Sequence, residues 1–268
     1  MEPASTFQAS DGDGYELLMG RWSRRLAVPF LAFAGTAGGE RVLDVGCGTG
    51  SLAFLLAGQA GLGEICGVDY AAPYVAHAAR LNVDPRLSFQ VADACALPFP
   101  DAAFDRVLSL LMLHFVATPD RAVAEMRRVA RPGATVAAAV WDARGGFVAN
   151  RMFYDTAAAL DPAAAVRRAH HLTRPMTRQG ELLAAWHQAG FADIRATELT
   201  IRMDFASFDD YWAPYTGKDG PVADYVATLD APAYARLHEA VRAAYLDGET
   251  DGARSYVAVA RAVKGTAP

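Results

Sequence analysis

Short apolar runs alternate with stretches of helical spacing along residues 41–141, and this alternation restricts the fold more than any other feature of the chain. Residues 41–45 read as a buried strand that runs straight into the glycine loop Gly46-Cys47-Gly48-Thr49-Gly50. A helix is predicted over residues 51–60, ended by Gly61 and Gly63. A strand over 64–69 follows, then a helix over 72–80 with Pro73 in its first turn. Strands at 87–91 and 104–109, a helix over 119–130, a turn at Arg131-Pro132-Gly133 and a strand over 135–141 complete the series. Steps of roughly 20–30 residues between strands are those of repeated βαβ units. Right-handed crossovers then place helices on both faces. The predicted fold class is therefore α/β, a doubly wound, Rossmann-like and mostly parallel sheet. Ligands in such sheets bind beyond the carboxyl ends of the strands, which is where the glycine loop, Asp69 and Asp93 fall.

The flanks read differently. Residues 1–10 read as mobile, and Leu26, Phe30, Leu31 and Ala34 have the spacing of a helix that Gly35 and Gly39 end. Past Trp141, helices are predicted near 148–160 and 178–190, and strands near 194–203 and 255–263. Between those strands, residues 205–252 are rich in aromatics and read as a helical insertion over the mouth of the site.

Composition narrows the function classes. Of 268 residues 53% are hydrophobic, enough for a large core, and 21% are charged, which argues against global disorder. The net charge is -5 and no basic tract is present, so no nucleic-acid partner is expected. Cys47, Cys66 and Cys95 form no CxxC pair, which predicts neither a disulfide framework nor a zinc site and suits a reducing compartment. No apolar run approaches the roughly 18 residues of a membrane span, and the N-terminus lacks a charged-then-apolar signal pattern. A cytoplasmic protein, without a membrane or metal partner, is the expectation.

The glycine loop carries the chemistry. Its glycines allow a sharp turn and let a ligand lie against bare backbone, and the N–H groups of the following helix face that ligand. The nicotinamide-nucleotide fingerprint is G-x-G-x-x-G, but here the third glycine comes one residue early. Asp44 stands two residues before the first glycine. A phosphate would be repelled there, whereas a ligand with an ammonium and a sulfonium would be held. No Gly-Lys-Ser/Thr follows, so a P-loop is excluded. Asp69, at the end of the second strand, can accept hydrogen bonds from a ribose diol.

Residues 42–50, Val68-Asp69, Ala92-Asp93-Ala94-Cys95-Ala96-Leu97-Pro98-Phe99 and Phe104-Asp105-Arg106-Val107 resemble, in order, successive motifs of class I S-adenosylmethionine (SAM)-dependent methyltransferases. Residues 125–134 continue the match, and the likeness is to the small-molecule branch of ubiquinone/menaquinone type. The resemblance implies seven strands, mostly parallel with an antiparallel last strand, plus a helical cap. It implies SAM as cofactor and S-adenosylhomocysteine (SAH) as product. Asp44 and the backbone of Gly46, Cys47 and Gly48 would meet the methionine part, Asp69 the ribose, Tyr70 the adenine edge, Asp93 the adenine amino group and Ala94 N–H its ring nitrogen. Leu110 would border the cofactor. The family's N-terminal lid brings in Tyr15, Met19, Arg21 and Trp22. The expected organisation is a lid over 1–40, a cofactor-binding core over 41–204, an insertion over 205–252 near the acceptor and a closing strand over 253–268.

The acceptor is expected to be a small organic molecule, taken by a monomer or homodimer. His114, just past the fourth strand, is the candidate general base. His170 and His171 read as solvated loop residues. Trp141, Tyr211 and Trp212, with Trp22, are candidate walls of the acceptor pocket. A non-catalytic SAM- or SAH-binding module and a nicotinamide-dependent oxidoreductase are the rival readings.

Overall fold

A computed structural model describes residues 11–217 and 220–268. The stretch expected to be mobile, residues 1–10, lies outside the described residues, as does that part of the expected lid. The strands are β1 (Val42–Val45), β2 (Ile65–Asp69), β3 (Leu87–Val91), β4 (Phe104–Leu110), β5 (Ala130–Trp141), β6 (Ala192–Phe205) and β7 (Arg254–Thr266). They form one sheet in the order β3-β2-β1-β4-β5-β7-β6. β3, β2, β1, β4 and β5 run parallel to one another, and β7 runs antiparallel to both β5 and β6. The strand order reverses between β1 and β4, which opens a crevice at their carboxyl ends.

The N-terminal segment is α1 (Gly12–Tyr15), a π-helical turn Glu16–Gly20 and α2 (Arg21–Ala34). Next come α3 (Ser51–Ala57), α4 (Ala72–Leu81), α5 (Pro119–Val129), α6 (Val148–Leu160), α7 (Pro162–Leu172) and α8 (Glu181–Gln188). Between β6 and β7 lie α9 (Phe208–Trp212), α10 (Pro221–Val226) and α11 (Ala231–Leu246).

The period-two geometry of the strands divides the core between the two faces of the sheet. Val42, Leu108, Ala137 and Ala139 pack on the face covered by α2, α3 and the insertion. Leu43, Val45, Val107, Val136 and Ala138 pack on the other face, against α5 and α8. Asp44 shares the face of Val42, so the alternation that buries β1 also buries its one acid, which is 1% exposed.

Two expectations change. Arg131-Pro132-Gly133 does not form a separate turn. β5 already pairs at Ala130 with Phe104, and after a bulge resumes pairing at Thr135 with Arg106. Gly133 has φ 84° and donates its N–H to Ala267 O at 2.8 Å, so the bulge is fixed by β7's end rather than by a tight turn. The second change is α7, where no helix was predicted. Its sequence is rich in alanine, and only Ala164 and His171 are buried, so its apolar period is weak.

Candidate active site

The loop after β1 crosses the end of β2, where Gly46 N and Cys47 N both donate to Val68 O, at 2.7 and 2.9 Å. Gly46 has φ 77°, and a Cβ there would run into the Met112 side chain. Gly48 has a different role. At φ 54°, its absent Cβ would meet nothing nearer than the Tyr15 ring, at 4.0 Å. Bare backbone therefore faces open space.

That space is a cleft of about 790 Å³ at the carboxyl ends of the central strands. Tyr15, Gly46, Gly48, Asp69 and Tyr70 line one part of it, and Asp93, Ala94 and Leu110 another. A small adjoining cavity shares Tyr15, Gly46 and Leu110 and is walled by Asp44, Cys47, Ser23 and Ser51. Asp69 Oδ2 accepts from Gly48 N at 2.9 Å and Oδ1 from Ala71 N at 2.8 Å. Each carboxylate oxygen keeps a second lone pair, so this acid can still accept two hydroxyls. Its pKa is raised by burial, against the pull of these N–H groups. Asp93 holds the next loop by accepting from Cys95 N at 2.8 Å.

Neither oxygen of Asp44 makes a hydrogen bond of normal geometry, the Ala53 N–H lying close by without completing one. Burial, and the Asp69 charge nearby, push its pKa up to about 8, weakly offset by the Ala53 N–H. A buried acid in that state is satisfied by a cation. An ammonium group at the deep end, backbone along Gly46 and Gly48, and two acids farther out fit an amino-acid nucleoside and do not fit a pyrophosphate.

A second cavity, of about 720 Å³, meets the first at Tyr15, Leu111 and Phe115. Leu111 has φ 64°, a left-handed conformation for a non-glycine residue, held where β4 ends. Such strain costs of order 1 kcal/mol or more. Met19, Trp141, Phe147 and Val222 give the cavity apolar walls, while His114, Asn150, Tyr154, His171, Arg174 and Thr177 give it polar ones. His114 is 4% exposed and its Nδ1 has no partner. Burial, then the charges of Arg174 and His171, hold its pKa well below the usual histidine range. His171 stacks on Tyr154, with centroids 4.5 Å apart and planes at 14°. Burial, then Arg174, depresses it to about 3. Both rings are therefore neutral near pH 7.

Four sequence candidates lie elsewhere. Arg21 lines neither cavity, because Asp210 holds it at 3.0 Å and it lies over the Trp22 ring. Trp22 itself packs on Phe205, 5.3 Å away, in the core under α2. Tyr211 donates to Ala149 O at 2.9 Å, and Trp212 Nε1 to Tyr234 Oη at 3.1 Å. Both rings are packed into the core over one face of the sheet, where Phe208, Tyr215 and Tyr245 surround them. His171 is also not a solvated loop residue. It is a buried residue of α7 facing the second cavity, whereas His170 beside it is exposed. Sequence reasoning missed Asn150, Tyr154 and Arg174. Asn150 and Tyr154 are one helical turn apart on α6, and that spacing is the signal that could have paired them. Among the described residues no group of three or more His, Cys, Asp or Glu could hold a metal ion.

Residues 43–138 match the family profile described as "Methyltransferase domain". The chain is 36% identical over 188 residues to malonyl-[acyl-carrier protein] O-methyltransferase of Geobacter sulfurreducens, covering 69% of this chain and 67% of that protein. It is 40% identical over 116 residues to demethylmenaquinone methyltransferase of Thermus thermophilus, covering 42% and 50%. Many of the matched curated relatives, like the latter, are spanned over half their length or less. Its fold resembles that of Haemonchus contortus phosphoethanolamine N-methyltransferase 2 in complex with SAM, with a TM-score of 0.61 at 18% identity, covering 96% of this chain and 56% of that one. With the strand order and the glycine loop already described, these matches identify the chain as a member of the class I SAM-dependent methyltransferases.

Proposed function

We propose that the protein transfers a methyl group from SAM to a small organic acceptor, leaving SAH. The observation that carries this reading is the meeting of two cavities at Tyr15, Leu111 and Phe115. One cavity connects to a buried carboxylate that calls for a cation, and the other has apolar walls with the buried His114 and His171 among its polar ones. Asp44 takes the ammonium, while Gly46, Cys47 and Gly48 offer backbone to the methionine chain. Asp69 accepts from the ribose hydroxyls, Tyr70 and Leu110 border the nucleoside, and Asp93 with Ala94 N–H reads the adenine edge. Bound in this way, the cofactor supplies an electrophilic methyl group on a sulfonium. The chain's own contribution is to position the partners and exclude water, which can account for much of the acceleration in a displacement with a good leaving group.

His114 supplies the base. It is neutral near pH 7, so an acceptor O–H or N–H can pass it a proton as the methyl group arrives. The N-terminal segment closes over the cofactor cleft through Tyr15 and over the acceptor cavity through Tyr15 and Met19. The insertion over residues 205–252 caps the acceptor cavity through Pro221 and Val222 rather than through its large aromatic rings. Residues 41–204 and 253–268 form the core, and the two cavities lie where residues 41–204 meet the N-terminal segment and the insertion. No helix among the described residues is long and apolar enough to cross a membrane. The cysteines are unpaired, which suits a reducing, cytoplasmic setting. A purely SAM-binding module would have no use for the second cavity, and that favours the enzyme.

Calorimetric titration with SAM, SAH and NADPH tests the reading. SAM and SAH should bind and NADPH should not, and Asp69→Ala should weaken SAH by about 100-fold or more, as for a lost pair of hydrogen bonds to a charged group. Binding of NADPH alone, or unchanged SAH affinity in Asp69→Ala, would overturn it.

A further inference from the structure

The second cavity contains a charge that the methyl-transfer reading leaves unused. Arg174 is 9% exposed and lines the cavity. Its Nε has no hydrogen-bond partner, and no carboxylate among the described residues compensates its charge. Its favourable neighbours are the Phe115 ring, 4.4 Å below the guanidinium, and Tyr154, neither of which carries a negative charge near pH 7. Other cations nearby already have partners: Arg151 pairs with Asp155 at 2.8 Å, and Arg261 with Asp142 at 2.9 Å. Both neighbouring imidazoles are neutral and offer no counter-charge. Neither nitrogen of His171 and not the Oδ1 of Asn150 has a partner either. An unpaired buried guanidinium is costly, and a protein that keeps one in a cavity wall keeps it for something that enters the cavity.

We propose that the acceptor is an organic anion, whose acidic group is neutralised by Arg174 while its apolar body lies against Trp141, Phe147 and Met19. The inference rests on the reading of this cavity as the acceptor site. His171 completes the polar end, because its neutral ring has one N–H to donate to the same acidic group, and Asn150 can add a donor through its Nδ2 but not through Oδ1. The guanidinium presents planar, paired donors, which match a carboxylate or phosphate better than a point charge would. Phe115, beneath Arg174, also lines the cofactor cleft, so a bound acid lies close to the junction through which the methyl group must pass.

The test uses the full chain saturated with SAH. Benzoate and octanoate are titrated against their neutral counterparts benzamide and octanamide, and inorganic phosphate serves as an anion without an apolar body. At least one organic acid should bind 10-fold or more tightly than its amide. Arg174→Met should abolish that preference and Arg174→Lys should restore part of it, with SAH affinity unchanged in both. In the ligand-free protein Arg174→Met should raise the melting temperature, because it removes an uncompensated buried charge. Equal binding of acid and amide, no binding of either acid, binding of phosphate only, or a lower melting temperature in Arg174→Met would each overturn the proposal. Failure of SAH itself to bind would instead remove the reading on which the proposal rests.

Discussion

Asp44 is the residue whose state depends most on what the cleft holds. Without a cation its carboxyl is mostly protonated near pH 7, since burial and Asp69 place its pKa at about 8. An ammonium beside it favours the charged form. Cofactor binding near pH 7 should therefore release close to one proton, read as a difference in calorimetric enthalpy between buffers of different ionisation heat. Above about pH 9 the release should vanish. Asp44→Asn should abolish it at every pH and weaken SAH by about 100-fold or more, the scale of a broken buried pair. Release that persists in Asp44→Asn would assign the proton to another group, with Asp69 first in line. His114 is tested differently. If it takes the acceptor's proton, His114→Gln should lower kcat by about 100-fold, the lower end of general-base contributions, and leave SAH affinity within roughly twofold. An unchanged kcat would leave the histidine as a packed wall residue.

At the scale of elements, the sequence was most readable where backbone geometry and chemistry coincide. Each strand from β1 to β5 was recognisable from its short apolar run, and the loop after β1 from glycines that must take positive φ or face a ligand. Asp44, Asp69 and Asp93 were legible because they lie in or next to the carboxyl ends of β1, β2 and β3, where sheets of this kind take ligands. The acceptor side was not legible in that way. Asn150 and Tyr154 on α6, His171 on α7 and Arg174 beyond it meet only through the packing of separate helices. Nothing in the local pattern of α7 distinguishes His171 from His170. Aromatic density pointed instead to Tyr211 and Trp212, which are buried in the core that the insertion shares with one face of the sheet. The π-helical turn Glu16–Gly20 was also invisible to a 3.6-residue period. It ties the N-terminal segment to the glycine loop through Glu16, which accepts from Thr49 Oγ1 there and pairs with Arg24. Glu16→Ala should loosen that strap. We expect SAH to bind roughly fivefold more weakly, as for a hydrogen bond worth about 1 kcal/mol, with faster amide exchange over residues 11–20. Unchanged exchange would mean that the Tyr15–Tyr74 ring contact, at 4.9 Å, fixes the lid instead.

For the whole molecule the buried titratable groups act in opposite directions on stability. A group whose pKa falls on folding is protonated more readily in the unfolded chain, so its contribution is present at high pH and lost on acidification. His171, down from 6.5 to about 3, contributes in this sense above pH 6.5 and loses it progressively toward 3. His114 acts in the same direction. Asp44 has the reverse sign. Its pKa rises from 3.8 to about 8, so its contribution is complete below 3.8 and disappears between there and 8. The two kinds of group oppose each other between 3.8 and 6.5. From 6.5 to 8 the histidines no longer change the balance, and the Asp44 contribution remains. The melting temperature of the ligand-free protein should therefore fall between pH 6.5 and 8, and Asp44→Asn should flatten that slope. Saturating SAH should flatten it in the wild type as well, because the ammonium keeps Asp44 ionised in the folded state across the whole interval. The stabilisation gained from SAH then grows as pH rises from 6.5 to 8. Thermal scans of the wild type and Asp44→Asn, with and without SAH, separate these contributions. A wild-type melting temperature that rises over the interval without ligand would show that Asp44 is already paired and that the cleft needs no cation.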